Sequence, residues 1–249
     1  MTPRPATRLY VATDLAGGLS IGLTPPQAHY LKSVLRLAPG TEVALFNGRH
    51  GEWRGRIDGF GRGWCSVTLS EQQRPQEPPA DLALIFAPIK RARIDFLVEK
   101  ATELGVSALH PVFTRRSVVE RVNLERLRAN AIEAAEQTER LSIPELHEPQ
   151  PLPRFLAEWT AARPLLLCDE SGVSPPIAEA LQGIAVAPRA VLVGPEGGFT
   201  ETELDALKKL PFVCPVGLGP RVLRADTAAL AALAVLQALS GDWRTPRRR

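Results

Sequence analysis

The stretch VLVGPEGGFTETE (residues 191–203) sets three kinds of residue in a fixed order. Val191, Leu192 and Val193 form a short apolar run, suited to a strand buried on both faces. Gly194, Pro195, Glu196, Gly197 and Gly198 follow as turn chemistry. Thr200-Glu201-Thr202-Glu203 then has the spacing of a capping box, predicting a helix that runs through Leu210. A strand, a glycine-rich turn and a capped helix together make the repeating unit of a parallel sheet.

The same alternation extends in both directions. LALIFA (82–87) is a continuous apolar run. After it, Ile94, Leu97, Val98, Ala101 and Leu104 share one helical face, and Gly105 stands where a helix ends. VSALHPVF (106–113) is the next strand. Residues 123–140 predict a long helix with Leu124, Leu127, Ala131 and Ala134 or Ala135 inward. PLLLCD (164–169) is a strand, and Ser174-Pro175 predicts a helix start. FVCPVGL (212–218) is the last strand. Asp226 or Thr227 is expected to cap an alanine-rich helix reaching about Leu239. The fold class read from this part is α/β around a parallel sheet.

Upstream the pattern changes. RLYV, TEVALF, GEWRGRI and WCSVTLS are short strands separated by NGRH and GFGRG, where Asn47-Gly48 and Gly59, Gly61 and Gly63 are turn chemistry. A helix is expected from Pro25 to about Leu35, with Thr24 as its N-cap. So many short strands suggest a small barrel. Residues 71–80, EQQRPQEPPA, have three prolines and no aliphatic core residue, and read as a linker. The expected division is a barrel over 1–72, a linker over 73–80, a sheet domain over 81–243 and a basic tail over 244–249.

The bulk numbers bound the rest. The chain has 249 residues, 45% of them apolar, with a formal net charge of +3. That balance permits a nucleic-acid partner without requiring one. Three scattered cysteines and four scattered histidines fit neither a disulfide framework nor a metal-ligand spacing. No apolar leader precedes the first strand, and the longest apolar run, 228–236, is too short for a bilayer. A cytoplasmic protein with no metal and no membrane partner is the expectation.

Three segments carry candidate chemistry. The loop after Val193 has neither the Walker spacing and its lysine nor the G-x-G-x-x-G dinucleotide spacing. Glu196 would repel a phosphate, so the loop fits a neutral or cationic ligand, or a plain strand-to-helix turn. The second segment, VGLGPRVLR (216–224), again joins a strand to a helix. Its Gly217 and Gly219 allow close approach of the backbone. Its Arg221 and Arg224 suit RNA phosphates, or solvent. The third, AAEQTER (134–140), ends a helix. Arg140 there complements the helix dipole, while Glu136 and Gln137 are placed to orient a loop by hydrogen bonding. In the barrel, Arg8, Lys32, Arg36 and Arg54 read either as solvated surface or as phosphate contacts.

EKATELGV (99–106), EAAEQTER (133–140), LVGPEGGFTETE (192–203) and LGPRVLRADTAALAAL (218–233) occur in one order. In that order they resemble the ribosomal small subunit methyltransferase E family, as do RLYV (8–11) and residues 29–48. Asp226 departs from the glutamate more usual there, and Thr138-Glu139 from small or polar residues. The resemblance implies a SPOUT-type sheet domain with a C-terminal trefoil knot, preceded by a PUA-like β-barrel that binds RNA. It implies S-adenosylmethionine as cofactor, held at Gly194, Pro195, Glu196, Gly197, Leu218, Gly219 and Leu223, with the end of PLLLCD as a third wall. It implies methylation of N3 of a uridine in the decoding region of 16S rRNA, within the small ribosomal subunit, by a homodimer. The alanine-rich helix is the expected dimer face. No histidine lies in these motifs to serve as base, so Arg140, Arg221 and Arg224 are the expected catalytic groups, stabilising a uridine anion. The competing expectations are a non-catalytic rRNA-binding or ribosome-assembly protein with a degenerate knot, and a small-molecule enzyme of doubly wound type.

Overall fold

A computed structural model describes residues 4–183 and 189–245. Of the basic tail, residues 246–249 lie outside the described residues. The chain divides into two units. One ends at Pro78 and takes in Ala135–Ile143; the other holds Pro79–Ala134 and the chain from Pro144 onward.

The first unit is a five-stranded sheet. Its strands are β1 (Arg8–Tyr10), β2 (Ser20–Leu23), β3 (Glu42–Phe46), β4 (Glu52–Gly61) and β5 (Trp64–Arg74), in the order β1-β3-β4-β5-β2. β1 pairs parallel with β3; the other ladders are antiparallel. Val43, Leu45, Ile57, Val67 and Leu69 alternate inward from three strands and close one core with Leu9, Ile21, Leu23 and Leu31. Two features of the ladder differ from the sequence reading. β4 carries through residues 59–61, because Phe60 and Gly61 pair with Cys65 and Trp64 and leave only Arg62-Gly63 as the turn. β5 continues to Arg74, because Gln72 and Arg74 find partners in Trp53 and Glu52. The first residues of the proline-rich stretch are therefore sheet. The expected helix begins as α1 (Pro25–His29), where Gln27 Oε1 accepts from the Thr24 amide at 3.1 Å. It continues as one wide π-helical turn over Tyr30–Val34.

The second unit is a seven-stranded sheet. β6 (Leu82–Phe86), β7 (Ala108–Phe113), β8 (Glu145–Leu146), β9 (Gln150–Pro151), β10 (Leu165–Cys168), β11 (Arg189–Val193) and β12 (Val213–Val216) take the order β12-β10-β11-β6-β7-β8, with β9 also on β7. Every pairing is parallel. β6 and β11 are buried along their whole length. The continuous apolar runs follow from that, since helices and loops cover both faces of a parallel sheet. The helices are α2 (Arg91–Glu103), α3 (Leu124–Gln137), α4 (Leu152–Ala157), α5 (Ile177–Ala180), α6 (Glu201–Lys208) and α7 (Ala225–Ser240). α3 is counted in both units, its last residues Ala135, Glu136 and Gln137 falling in the first.

Two helix starts differ from expectation. Ser174 does not cap a helix. Its hydroxyl donates to Asp169 at 2.7 Å, and α5 begins later at Ile177. Asp226 does not cap α7 either: the helix opens one residue earlier, at Ala225, and the carboxylate takes both Nη1 contacts of Arg93, at 3.0 and 3.2 Å. The alanine-rich face expected at a dimer interface is partly spent within the chain. Ala225, Ala228, Ala229 and Ala232 are buried in the core of their own unit with Ile94, Leu97 and Val98 of α2. Small side chains serve there to bring two helices close. Ala231, Ala234, Ala238 and Leu239 remain outside that core and are at least partly exposed.

Candidate active site

Parallel pairing places the carboxyl ends of neighbouring strands at one edge. β10, β11 and β12 end together: Leu167 is level with Leu192 and with Pro215, and Cys168 with Val216. Their three following loops therefore lie at the same edge, where ligands of open α/β sheets bind. These are residues 169–176, 194–200 and 217–224.

The loop after β11 is fixed from several sides. The Gly198 amide donates to Pro195 O at 2.9 Å, closing a turn over Glu196 and Gly197. Gly198 has φ 68°, a left-handed conformation that glycine adopts without a Cβ clash. A Cβ there would also collide with the Glu170 carboxylate, from the loop after β10. A Cβ on Gly194 would stand 2.9 Å from the Phe199 ring, so glycine lets that ring lie over the start of the loop. Arg116, just past β7, donates from Nη1 to Gly197 O at 2.7 Å and to Phe199 O at 3.3 Å. The capping box forms as read: the Thr200 hydroxyl accepts from the Glu203 amide at 3.2 Å, and Glu203 Oε2 from the Thr200 amide at 2.9 Å. Glu203 Oε1 also holds the Arg115 amide at 2.8 Å. Glu196 is exposed.

The loop after β10 is held from below. The Asp169 amide donates to Val216 O at 2.9 Å. Its side chain, 1% exposed, meets Lys208 Nζ at 2.8 Å. Farther on, the Gly217 amide donates to Pro175 O at 2.8 Å and Gly217 O accepts from the Ile177 amide at 3.0 Å. Residues 174–177 are thus laced to the start of the third loop.

Beyond Gly217 the third loop changes character. Among the described residues, the amides of Leu218, Gly219, Val222 and Leu223 find no hydrogen-bond partner, and neither does that of Gly194. Leu218 and Leu223 are half-buried, with side chains packed on the core. Gly219 has φ 97° and nothing within 4 Å of where its Cβ would lie. Unclaimed donors beside half-buried apolar side chains fit a ligand with an aromatic heterocycle and hydroxyl groups. Arg221 and Arg224 are exposed, and among the described residues neither side chain makes an ion pair or hydrogen bond.

The seven cofactor positions read from sequence thus fall on two loops of one edge, with Glu170 at the third. Arg140 belongs to the first unit. Its carbonyl accepts from Arg8 Nη2 at 2.9 Å. Arg8 also donates from Nη1 to Ala135 O at 3.0 Å and Glu136 O at 2.9 Å, and pairs with Glu52. It satisfies the last carbonyls of α3 and is not a free phosphate contact. Arg54 is corrected in the same way. It is 6% exposed, and its Nη1 donates to Glu42 at 2.9 Å. Burying an arginine without such a partner would cost several kcal/mol. Lys32 and Arg36 are exposed. Glu136 orients the chain as read, since its Oε1 accepts from the Tyr10 amide at 2.8 Å. Sequence reasoning missed Arg116 and Lys208, and reached Asp169 only as the end of PLLLCD, with no role given to its carboxylate. The signal available was weak: a carboxylate at the end of an apolar run.

No histidine lies in the three loops. His110 stacks on His147 with ring centroids 3.9 Å apart and packs near Phe155 and Trp159. Burial first, then His147 and Arg163, push His110 down to about 3, so it is neutral at ordinary pH. Among the described residues no cluster of histidine, cysteine or carboxylate is built to hold a metal ion. Nor is any helix among them long and apolar enough to cross a membrane.

Comparisons with known proteins agree with this geometry. Residues 76–237 match the family described as RNA methyltransferase domain, and residues 23–63 the family described as RNA methyltransferase PUA domain. The chain is 33% identical to ribosomal RNA small subunit methyltransferase E of Rickettsia conorii, over 93% of this chain and 95% of that one. It superimposes on a Legionella pneumophila methyltransferase solved with bound SAM at TM-score 0.82 and 31% identity, covering 95% and 98% of the two chains. It also superimposes on a ribosomal RNA small subunit methyltransferase E from Neisseria gonorrhoeae bound to S-adenosyl methionine. There the TM-score is 0.84 at 28% identity, covering 95% and 99%.

Proposed function

Because the chain belongs to the ribosomal RNA small subunit methyltransferase E family, we propose that it methylates N3 of a uridine in the decoding region of 16S rRNA, within the small ribosomal subunit, using S-adenosylmethionine. The observation that carries this reading is the edge formed by three loops, where among the described residues the amides of Gly194, Leu218, Gly219 and Leu223 are unclaimed and no loop residue is a lysine. The loops carry neither the Walker spacing with its lysine nor the dinucleotide glycine spacing of a nucleotide-phosphate site. A phosphate-free adenosine needs donors for its ring and ribose and an apolar wall, which Leu218 and Leu223 supply. When bound, the cofactor supplies a methyl group on a sulfonium.

Uridine N3 carries a proton at neutral pH and must lose it as the new N–C bond forms and the S–C bond breaks. The proton passes to solvent water, and S-adenosylhomocysteine is left. Arg221 and Arg224, exposed and unpaired, stand on the third loop to stabilise the developing charge over N3 and O4. Removal of one such donor typically costs about 3 kcal/mol. Arg140 is proposed as the third cation, brought to the site in the homodimer. The remaining outward face of α7, with Ala231, Ala234 and Ala238, is proposed as part of that dimer contact. A trefoil knot through residues 169–224 is consistent with the lacing of Pro175 and Ile177 to Gly217. The first unit is proposed as the RNA-binding unit and the second as the methyltransferase domain; of the linker expected over 73–80, the first two residues are the end of β5. With Arg8 and Arg54 committed internally, phosphate contact falls to Lys32 and Arg36. N3 lies on the pairing edge, so the target base is unpaired or extruded during transfer.

Tritiated methyl transfer to small subunits lacking the modification tests the reading. Label in 16S rRNA is expected from the wild type. Single-turnover rates of Arg140→Ala and Arg224→Ala test the arginines: full rates with cofactor and RNA bound would remove them from the mechanism. A non-catalytic assembly protein would give no heat on titration with S-adenosylmethionine.

A further inference from the structure

Resting on the cofactor reading above, we infer that the Asp169–Lys208 ion pair positions the cofactor cleft, joining all three loops at one buried carboxylate. Asp169 is the first residue after β10. Its Oδ1 accepts from the Ser171 amide at 2.9 Å, and its Oδ2 from the Ser171 hydroxyl at 2.9 Å, the Ser174 hydroxyl at 2.7 Å and Lys208 Nζ at 2.8 Å. These contacts reach each wall by a separate route. Ser171 and Ser174 shape the loop that carries Glu170, whose carboxylate abuts Gly198 of the second loop. Lys208 ends α6, the helix that the second loop opens through Thr200. The Asp169 amide holds Val216 O, one residue before the third loop.

The placement is informative because an ion pair with one member buried is a poor way to gain stability. Hydrophobic residues of similar volume commonly do as well or better, whereas a charged pair with satisfied lone pairs fixes one geometry. Here the site where direction matters is the cleft: the Asp169 side chain is buried, and Lys208, partly exposed, reaches it from the last residue of α6. Burial alone would raise Asp169, but the bonds from Lys208, Ser174 and Ser171 overcome it and hold the carboxyl at about 2. The anchor stays charged at any pH where RNA is handled. Asp169 and Lys208 are positioning residues, since they act through the loops and not on the reacting atoms.

The test is calorimetric titration of S-adenosylmethionine into wild type, Asp169→Asn, Lys208→Met and Lys208→Arg, each well below its own melting temperature. Small-subunit affinity and steady-state kinetics are measured in parallel. Lys208→Arg keeps the charge opposite the buried carboxylate, so it is the folded comparison where Asp169→Asn or Lys208→Met loses stability. The expected result is a cofactor Kd raised about fivefold or more in Lys208→Met, an interaction worth about 1 kcal/mol. Lys208→Arg recovers most of that loss. KM for the cofactor rises while kcat at saturation and affinity for small subunits hold. A smaller rise in Kd, no recovery with arginine, or a kcat loss at unchanged KM overturns the inference. A wild type that gives no heat with S-adenosylmethionine fails earlier, at the cofactor reading itself.

Discussion

The loops after β11 and β12 share a composition, two or more glycines beside a proline, and are built in opposite ways. Residues 194–200 are closed by the Gly198–Pro195 turn, clipped by Arg116, covered by Phe199 and finished by the Thr200–Glu203 box. In residues 218–224 the amides of Leu218, Gly219, Val222 and Leu223 are unclaimed among the described residues, and both arginines are exposed. Glycine therefore means two different things at one sheet edge. In the first loop it admits a left-handed turn and a ring; in the second, at Gly219, it leaves room. A site needs both, because a rigid wall gives direction and an open one gives donors.

That contrast is breakable. The largest effect is expected at the open loop: Arg224→Ala should lower the single-turnover rate about 100-fold. Because its side chain is exposed, the melting temperature should hold within about a degree. A large drop in melting temperature would mean that the open loop is structural after all. Next comes the pinned loop, where Gly198→Ala should show the reverse. It forces a Cβ into the left-handed region at about 1–2 kcal/mol and displaces Glu170, so both stability and cofactor affinity should fall. Retained stability would contradict the rigid assignment.

Asp169 gives a pH signature of similar size. Its folded-state carboxyl is held at about 2, below the ordinary 3.8. Its contribution is therefore fully present above pH 3.8 and is lost as pH falls from there through 2. The loss should be on the order of 2 kcal/mol in urea melts over that window, and Asp169→Asn should remove it. No such change is expected from this group between pH 5 and 8. The smallest effects concern single pins. Arg116→Ala should cost about 1–2 kcal/mol by loss of two carbonyl contacts, and Thr200→Ala about 1 kcal/mol by loss of the cap. Chemical denaturation measures both, and each should weaken cofactor binding only slightly.

What the sequence made legible was local. The capping box from Thr200 to Glu203 spans four residues and formed as read. The apolar runs of β6, β10 and β11 announced a buried parallel sheet because burial on both faces demands them. Misreadings came where distant residues decide. Ser174 has a helix-cap residue type, but Asp169 claims its hydroxyl. Arg8 looks like surface charge until its partners Glu52 and Ala135 O, 44 and 127 positions away, are placed. β2, β8 and β9 are two to four residues long and too short for any period to mark. The loops proposed to hold the cofactor were recognisable as a set only through family resemblance, since each alone also fits a plain turn. Arg116, the clip on the first loop, gave no local sign.

Whether this edge delivers a methyl group to one uridine nitrogen is decided by incubating the protein and S-adenosylmethionine with unmodified small subunits, then digesting 16S rRNA to nucleosides for mass spectrometry. One new species is expected, N3-methyluridine, mapping to the decoding region and absent without cofactor. A methyl on another atom or base, or no methylated nucleoside from a protein that binds the cofactor, would contradict it.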